Sequence, residues 1–318
     1  MASRSALSGA LSPRTNPEMS IPKFIYGTAW KKERSAELVY QAIKAGFRAL
    51  DTAAQPKHYN EKGVARGIER AMDEGIVKRE DLFIQTKYTP PSGQDPHNMP
   101  YDPASPLPEQ INNSLSSSLA NLKFPATSQE PYIDSLVLHS PLPTPDLTLQ
   151  AWKILSSHVP SKVRSLGISN TTLPILKSLT KSIADTPGLP RPAFVQNRFY
   201  PGTAYEGELR QFCREEGIVF QSFWTLSGNP GLLKSAVVSE VASALEGKVE
   251  GGEEKALALY GLVVALEGVT VLNGTTNLAR MRGDLKGLEV LRDLIEGEWR
   301  ETWQKWLAEF KEMIGEMR

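Results

Sequence analysis

Four residues of different chemistry stand at or just past predicted strand ends: Asp51, Tyr59, Lys87 and His139. Asp51 closes the apolar run Phe47-Arg48-Ala49-Leu50, and Tyr59 lies in the loop that follows. Lys87 closes Leu82-Phe83-Ile84-Gln85-Thr86, and His139 closes Ile133-Asp134-Ser135-Leu136-Val137-Leu138. An acid, a phenol, a cation and an imidazole gathered from separate strand ends suit the reduction of a carbonyl. Hydride arriving at a carbonyl carbon leaves negative charge on the oxygen, so a proton donor must sit within hydrogen-bond reach. A free phenol, with a pKa of about 10, is a sluggish acid at neutral pH. An ammonium about 4 Å away stabilises a phenolate by roughly 4 kcal/mol at an effective dielectric of about 20. That is about 3 pKa units. Lys87 is therefore expected to make Tyr59 acidic, Asp51 to hold Lys87, and neutral His139 to donate a second hydrogen bond to the oxygen. Taken singly, Asp51 reads as a helix cap, Lys87 as a surface residue, Tyr59 as a loop anchor and His139 as a structural hydrogen-bonder. Their joint occurrence at successive strand ends favours chemistry.

The elements that would position them alternate from Phe24 onward. Short apolar or β-branched runs at 24–27, 47–50, 82–87, 133–138, 163–168, 193–196, 218–223 and 269–272 read as strands buried on both faces. Helical patterns at 33–46, 61–75, 108–122, 147–157, 172–183, 205–216, 252–267 and from 277 follow them in turn. Eight such units in about 270 residues predict a closed (β/α)8 TIM barrel, an α/β fold, over 21–290. An open doubly wound sheet is the alternative, weakened because no Gly-x-Gly-x-x-Gly follows the first strand. Residues 1–20, rich in Ser, Pro and Arg, read as a disordered tail. Residues 285–318 read as a C-terminal amphipathic helix, an extension past the barrel from 291, with a stripe of Trp299, Trp303 and Trp306 packed on the barrel or on a partner. Residues 89–107 form a long loop, and 224–250 an irregular stretch.

In a barrel of this kind, chemistry sits at the C-terminal ends of the strands. Beyond the four residues above, those ends carry Ser169-Asn170, Gln196, Phe223 and Asn273-Gly274-Thr275. Ser169, Asn170 and Gln196 are neutral donors and acceptors suited to a carboxamide such as that of nicotinamide, and Phe223 offers a face for stacking. The 318 residues hold 36 Lys+Arg and 36 Asp+Glu. That balance argues against a nucleic-acid partner, which calls for a basic stripe. No apolar run is long enough to span a bilayer, so no membrane partner is expected. A single cysteine, Cys213, excludes an internal disulfide and fits a reducing, cytoplasmic setting, with a mitochondrial transit peptide the lesser reading of Arg4 and Arg14. His58, His97 and His158 lack metal-ligand spacing, and no metal site is expected.

On these residues the chain resembles the aldo-keto reductase family, as a divergent, fungal-like member, over 21–290. The matching stretches are Gly27-Thr28-Ala29-Trp30, Ala49-Leu50-Asp51-Thr52-Ala53 leading to Tyr59-Asn60-Glu61, Lys87, Leu136-Val137-Leu138-His139, Gly167-Ile168-Ser169-Asn170 and Val195-Gln196-Asn197. The resemblance implies reduction of an aldehyde or ketone with NADPH, with Asp51, Tyr59, Lys87 and His139 as the catalytic tetrad. It implies dinucleotide contacts at Gly27, Thr28, Asp51, Ser169, Asn170, Gln196, Phe223, Trp224, Leu226, Gly274, Thr275, Thr276, Arg280 and Asp284. Substrate contacts fall on Trp30, Tyr59, His139 and Trp224, with the 89–107 loop helping to wall the mouth. The partner implied is a small carbonyl compound, and the chain a monomer or homodimer. Three departures stand out. The loop between Asp51 and Tyr59 is long and must bulge. Gly274-Thr275 replaces the family's Lys-Ser pair at the adenosine 2′-phosphate, which weakens NADPH preference and admits NADH, although Arg280 is kept. The substrate-side loops at 89–107 and 224–250 are unlike those of the best-known members, and 285–318 reads as a helix where many members have a flexible substrate loop, so the resemblance leaves the substrate open. Phe223 stands where the family usually has Tyr. The competing reading is a nucleotide-binding regulatory barrel with little turnover.

Overall fold

The computed structural model describes residues 10–125, 130–249 and 253–316. Eight parallel strands follow one another round a closed barrel, and the last pairs with the first. They are β1 (Phe24–Gly27), β2 (Ala49–Asp51), β3 (Phe83–Tyr88), β4 (Ser135–Leu138), β5 (Leu166–Ser169), β6 (Phe194–Arg198), β7 (Val219–Phe223) and β8 (Val269–Asn273). The helices are α1 (Ser35–Ala45), α2 (Glu61–Asp73), α3 (Leu107–Asn121), α4 (Pro145–Ser156), α5 (Leu173–Ala184), α6 (Gly207–Glu216), α7 (Ala236–Leu245), α8 (Glu254–Val264), α9 (Leu278–Glu296) and α10 (Arg300–Met313). Several start on side-chain caps: Asn60 accepts from Gly63 N at 2.8 Å, and Thr144 from Leu147 N at 3.2 Å. Gly46, at φ 120°, ends α1 in a conformation that a residue with a Cβ resists. Among the described residues no helix is long and apolar enough to cross a membrane.

Side chains along a strand alternate between faces, and the registers turn that alternation into layers. Ala49 pairs with Phe83 and Phe194 with Val219; these four join Ile25 in an apolar cluster inside the barrel. One step up each strand, Asp51 pairs with Gln85 and Gln196 with Gln221, a buried polar layer. One step higher on the same faces stand Lys87, Arg198 and Phe223. Apolar below, amide in the middle and charged above, the barrel interior carries its chemistry at the strand C-termini.

Three expectations are corrected here. Residues 10–20 are not a featureless tail: Leu11 and Ile21 exchange backbone hydrogen bonds of 2.9 Å in each direction. Met19 and Ile21 are thereby buried against the apolar layer at the base of the barrel. That layer needs cover, and two apolar side chains in a Ser- and Pro-rich segment supply it; residues 1–9 lie outside the described residues. Second, the irregular stretch 224–250 contains α7. Third, the C-terminal segment is two helices. α9 runs unbroken through the expected boundary at 290, ends at Gly297, and α10 folds back. Trp303, Leu307 and Phe310 are buried. Trp299 and Trp306 meet edge to face at 5.7 Å, and Trp306 Nε1 donates to Glu240 Oε2 at 2.9 Å. The tryptophan stripe is thus packed within the chain.

Candidate active site

β2 delivers Asp51 and β3 delivers Lys87 to one point at the barrel mouth. The Lys87 ammonium donates to Asp51 Oδ1 at 2.7 Å, Asp51 Oδ2 at 2.6 Å and Thr52 O at 2.8 Å, which uses all its hydrogens. Asp51 Oδ1 also accepts from Gln85 Nε2 at 2.8 Å and Gln196 Nε2 at 3.0 Å. Both amides in turn donate to Gln221 Oε1, at 2.7 and 2.9 Å. The long loop after β2 does bulge, as a single turn: the backbone N–H groups of His58 and Tyr59 both bond Gln55 O, at 3.1 and 3.0 Å. The turn sets the half-buried Tyr59 ring with its centroid 5.0 Å from Lys87 Nζ and 6.1 Å from that of His139. Tyr59, Lys87, Asp51 and His139 are therefore brought together.

The electrostatics differ from expectation at one point. Burial pushes the Tyr59 phenol up, and the Asp51 carboxylate pushes it further. Burial lowers Lys87 while Asp51 raises it. With Asp51 in contact with it, the Lys87 ammonium does not offset burial at the phenol. His139 is pushed down to about 3 by burial, then by the charges of Lys87 and His58, so its imidazole is neutral at physiological pH. Thr89 Oγ1 lies 2.6 Å from its Nδ1. With the hydroxyl donating there, the ring proton sits on Nε2.

Above this group opens a cleft of about 700 Å³ lined by Gly27, Trp30, Asp51, Tyr59, His139, Ser169, Asn170, Gln196, Phe223, Trp224, Leu226, Gly274, Thr275, Arg280 and Asp284. Lys87 lies beneath it, and two expected dinucleotide contacts do not line it. Thr28 is wholly buried and its hydroxyl donates to Asp51 O at 2.8 Å. Thr276 is exposed beyond β8. The 89–107 loop also stays out of the lining. It folds behind the site, where Gln94 Nε2 bonds Ala54 O at 2.8 Å and Tyr101 Oη bonds Thr89 O at 2.5 Å. Trp30 and Trp224 stand exposed at the mouth, both with left-handed backbones.

One wall of the cleft is rich in neutral amides and hydroxyls. Ser169 Oγ donates to Gln196 O at 2.6 Å, and Asn170 Nδ2 to His139 O at 2.8 Å. The far end, at β8 and α9, is charged. Lys31, buried, donates its amine to the Gly274 carbonyl. Arg280 is ion-paired with Glu253. Asp284 accepts from Asn273 Nδ2 at 2.7 Å and is raised to about 6 by burial. Amides at one end and cations at the other fit a long ligand with a carboxamide head and phosphates behind it. Sequence reasoning missed Gln85, Arg198 and Gln221, although each lies two residues from a singled-out residue and so shares its face. It also missed Lys31, His58, Thr89 and Glu253, whose placement only the folded loops reveal.

Comparison with known proteins agrees with this geometry. A model of the aldo/keto reductase family matches residues 24–257. An NAD(P)H-dependent D-xylose reductase of Candida tenuis is 27% identical over 64% of this chain, a match that spans 63% of that relative. A D/L-glyceraldehyde reductase of Hypocrea jecorina is 26% identical over 86% of this chain and 82% of the relative. An aldo/keto reductase structure from Brucella melitensis superposes with a TM-score of 0.65 at 21% identity, over 90% of this chain and 98% of that one, a likeness of fold. With the family match covering most of the barrel, this chain belongs to the aldo/keto reductase family.

Proposed function

We propose that this chain reduces an aldehyde or ketone to the alcohol, with Tyr59 as proton donor. The observation that carries the reading is the buried Lys87–Asp51 pair beneath Tyr59, with His139 beside it at the head of a deep cleft. The relatives' names, as NAD(P)H-dependent or glyceraldehyde reductases, support it.

A reduced nicotinamide dinucleotide, when bound, supplies the hydride. Ser169, Asn170 and Gln196 would hold its carboxamide, Phe223 its ring, and Lys31 its phosphates. His139, neutral, offers an Nε2–H to the carbonyl oxygen and orients it. Tyr59 Oη then gives its proton to that oxygen as charge develops. Because the phenol is held protonated by burial, the donor is loaded at neutral pH. An alkoxide is about as basic as hydroxide, so it takes the proton even from a phenol with a raised pKa. The Lys87–Asp51 pair is a fixed neutral floor that keeps the phenol in place. At the adenosine end, Gly274 contributes no cation and Glu253 cancels Arg280. A 2′-phosphate therefore gains little there, and NADH serves alongside NADPH.

The test is Tyr59→Phe, assayed by loss of reduced-dinucleotide absorbance with a simple aldehyde and by fluorescence titration of the dinucleotide. The variant should bind dinucleotide as the parent does and lose at least about a hundredfold in turnover. Parental turnover in that variant would remove Tyr59 from the role of acid.

A further inference from the structure

We infer that the carbonyl substrate carries a carboxylate, and that Arg198 receives it; this rests on the reductase reading above and names the substrate class of the same site. The inference comes from how the charges on the cleft wall are spent. Asp51 is neutralised by Lys87 and Arg280 by Glu253. Lys31 has no carboxylate partner among the described residues, but its amine lies on the Gly274 carbonyl at the far, β8 end of the cleft, where the dinucleotide phosphates are proposed, and Asp284 is held by Asn273. Arg198 is different. It lines the cleft at the end of β6 and, among the described residues, has no carboxylate in ion-pair contact.

Its guanidinium has neutral partners instead. Nη1 donates to Asn170 Oδ1 at 3.2 Å, and the group lies 4.7 Å from the Trp224 ring centroid and 5.4 Å from that of Phe223. Asn170 in turn donates to the His139 carbonyl at 2.8 Å, so the cation is tethered to the strand end that carries the carbonyl-orienting imidazole. A guanidinium with rings packed beside it keeps donors free at its edge, in the fork geometry that matches a carboxylate. Among the described residues two buried side-chain atoms of the wall also lack a partner: Gln55 Oε1, an acceptor with nothing to offer an anion, and His58 Nδ1, whose ring centroid lies 3.7 Å from that of Trp30 and whose pKa burial lowers. The anion therefore goes to Arg198, and the flat rings of Phe223, Trp224 and Trp30 favour a short or aromatic spacer between carbonyl and carboxylate.

The experiment compares para-formylbenzoate with its methyl ester, which differ in charge at one end, in the parent, Arg198→Leu and Arg198→Lys. The parent should favour the acid by at least about tenfold in kcat/KM. Arg198→Leu should abolish that preference through KM, and Arg198→Lys should keep part of it. In parallel, para-hydroxymethylbenzoate is titrated against tryptophan fluorescence of the dinucleotide-loaded protein, and should bind at least about tenfold more weakly to Arg198→Leu. Equal kcat/KM for acid and ester in the parent overturns the inference without reference to any variant. So does a loss in Arg198→Leu that is equal for both aldehydes, or one that appears in dinucleotide affinity, which would assign Arg198 to a cofactor phosphate. Should the parent bind dinucleotide but reduce neither aldehyde, the reductase reading fails, and the hydroxymethylbenzoate titration still decides whether Arg198 receives a carboxylate.

Discussion

Lys87→Met tests the centre of this site most directly. Lys87 is fully buried and Asp51 nearly so. The substitution removes the only hydrogen bond to Asp51 Oδ2 among the described residues, while Oδ1 keeps Gln85 and Gln196. Breaking a buried pair from one side leaves an uncompensated charge and costs about 3–5 kcal/mol. Asp51→Asn leaves the ammonium without its counter-ion and costs a comparable amount. In the double variant no charge is buried, and the glutamine amides still find an oxygen at position 51. Its cost should fall short of the sum of the singles by at least about 2 kcal/mol. Urea unfolding of the four proteins at neutral pH measures this. A second signature is pH. In Lys87→Met, burial favours the protonated carboxyl, so its deficit relative to the parent should shrink as pH falls. Additive costs, or a single-variant cost below about 1 kcal/mol, would refute the argument that the pair is dry and mutually dependent. If the double variant regains stability but not turnover, the pair is retained for chemistry rather than for the fold.

Glu253→Gln should free Arg280 for a phosphate and tighten NADPH about two- to fivefold more than NADH, the scale of a half-exposed ion pair. Equal tightening of both dinucleotides, by fluorescence titration, would assign Glu253 a scaffold role. Asp284, raised to about 6 by burial, favours folding while protonated and loses that contribution as pH rises through about 6. Asp284→Asn should therefore be more stable than the parent at pH of about 8, by roughly 1–2 kcal/mol, and no more stable at pH of about 4. A variant less stable at the higher pH would show that the Asn273–carboxylate bond outweighs burial.

Much of the site was legible because its residues end apolar runs. Asp51, Lys87 and His139 each close a strand, and a parallel barrel leaves strand ends nowhere to go but its mouth. What was not legible depends on contacts between distant segments. The balance of charge at Tyr59 is one case: the pairing of Asp51 with Lys87 is readable from the strand ends, but the contact distance at which the carboxylate offsets the ammonium at the phenol is not. The Arg280–Glu253 pair is another, because nothing near either residue announces its partner. α7 escaped notice although Val237, Val238, Val241, Ala242 and Leu245 recur at helical spacing and are buried, with Ser239, Glu240 and Ser243 on the other face; its ten residues lie between two glycine-containing stretches and read as part of the loop. The hairpin at 10–21 escaped because composition averages conceal the two side chains that matter.

The layered interior also explains why the Lys87–Asp51 pair and the fold depend on one register. Asp51 is opposite Gln85, and Lys87 follows two residues later on the same face of β3. A slip of one residue between β2 and β3 would turn Lys87 outward and bring Thr86 to the barrel axis. It would also turn Phe83 out of the apolar cluster at the base. The register that buries Phe83 is thus the register that joins Lys87 to Asp51. Packing at the bottom of the barrel selects the geometry at the top, with no separate stabilisation needed for the site. The price of that coupling is an amide layer that must be satisfied throughout. Gln85 and Gln221 meet this by bonding each other in both directions, and Gln196 completes the set by bonding Gln221 and Asp51. Replacing Gln85 with an apolar residue of similar size would leave Gln221 with an unpaired buried amine, and would loosen Asp51 before it disturbed any strand.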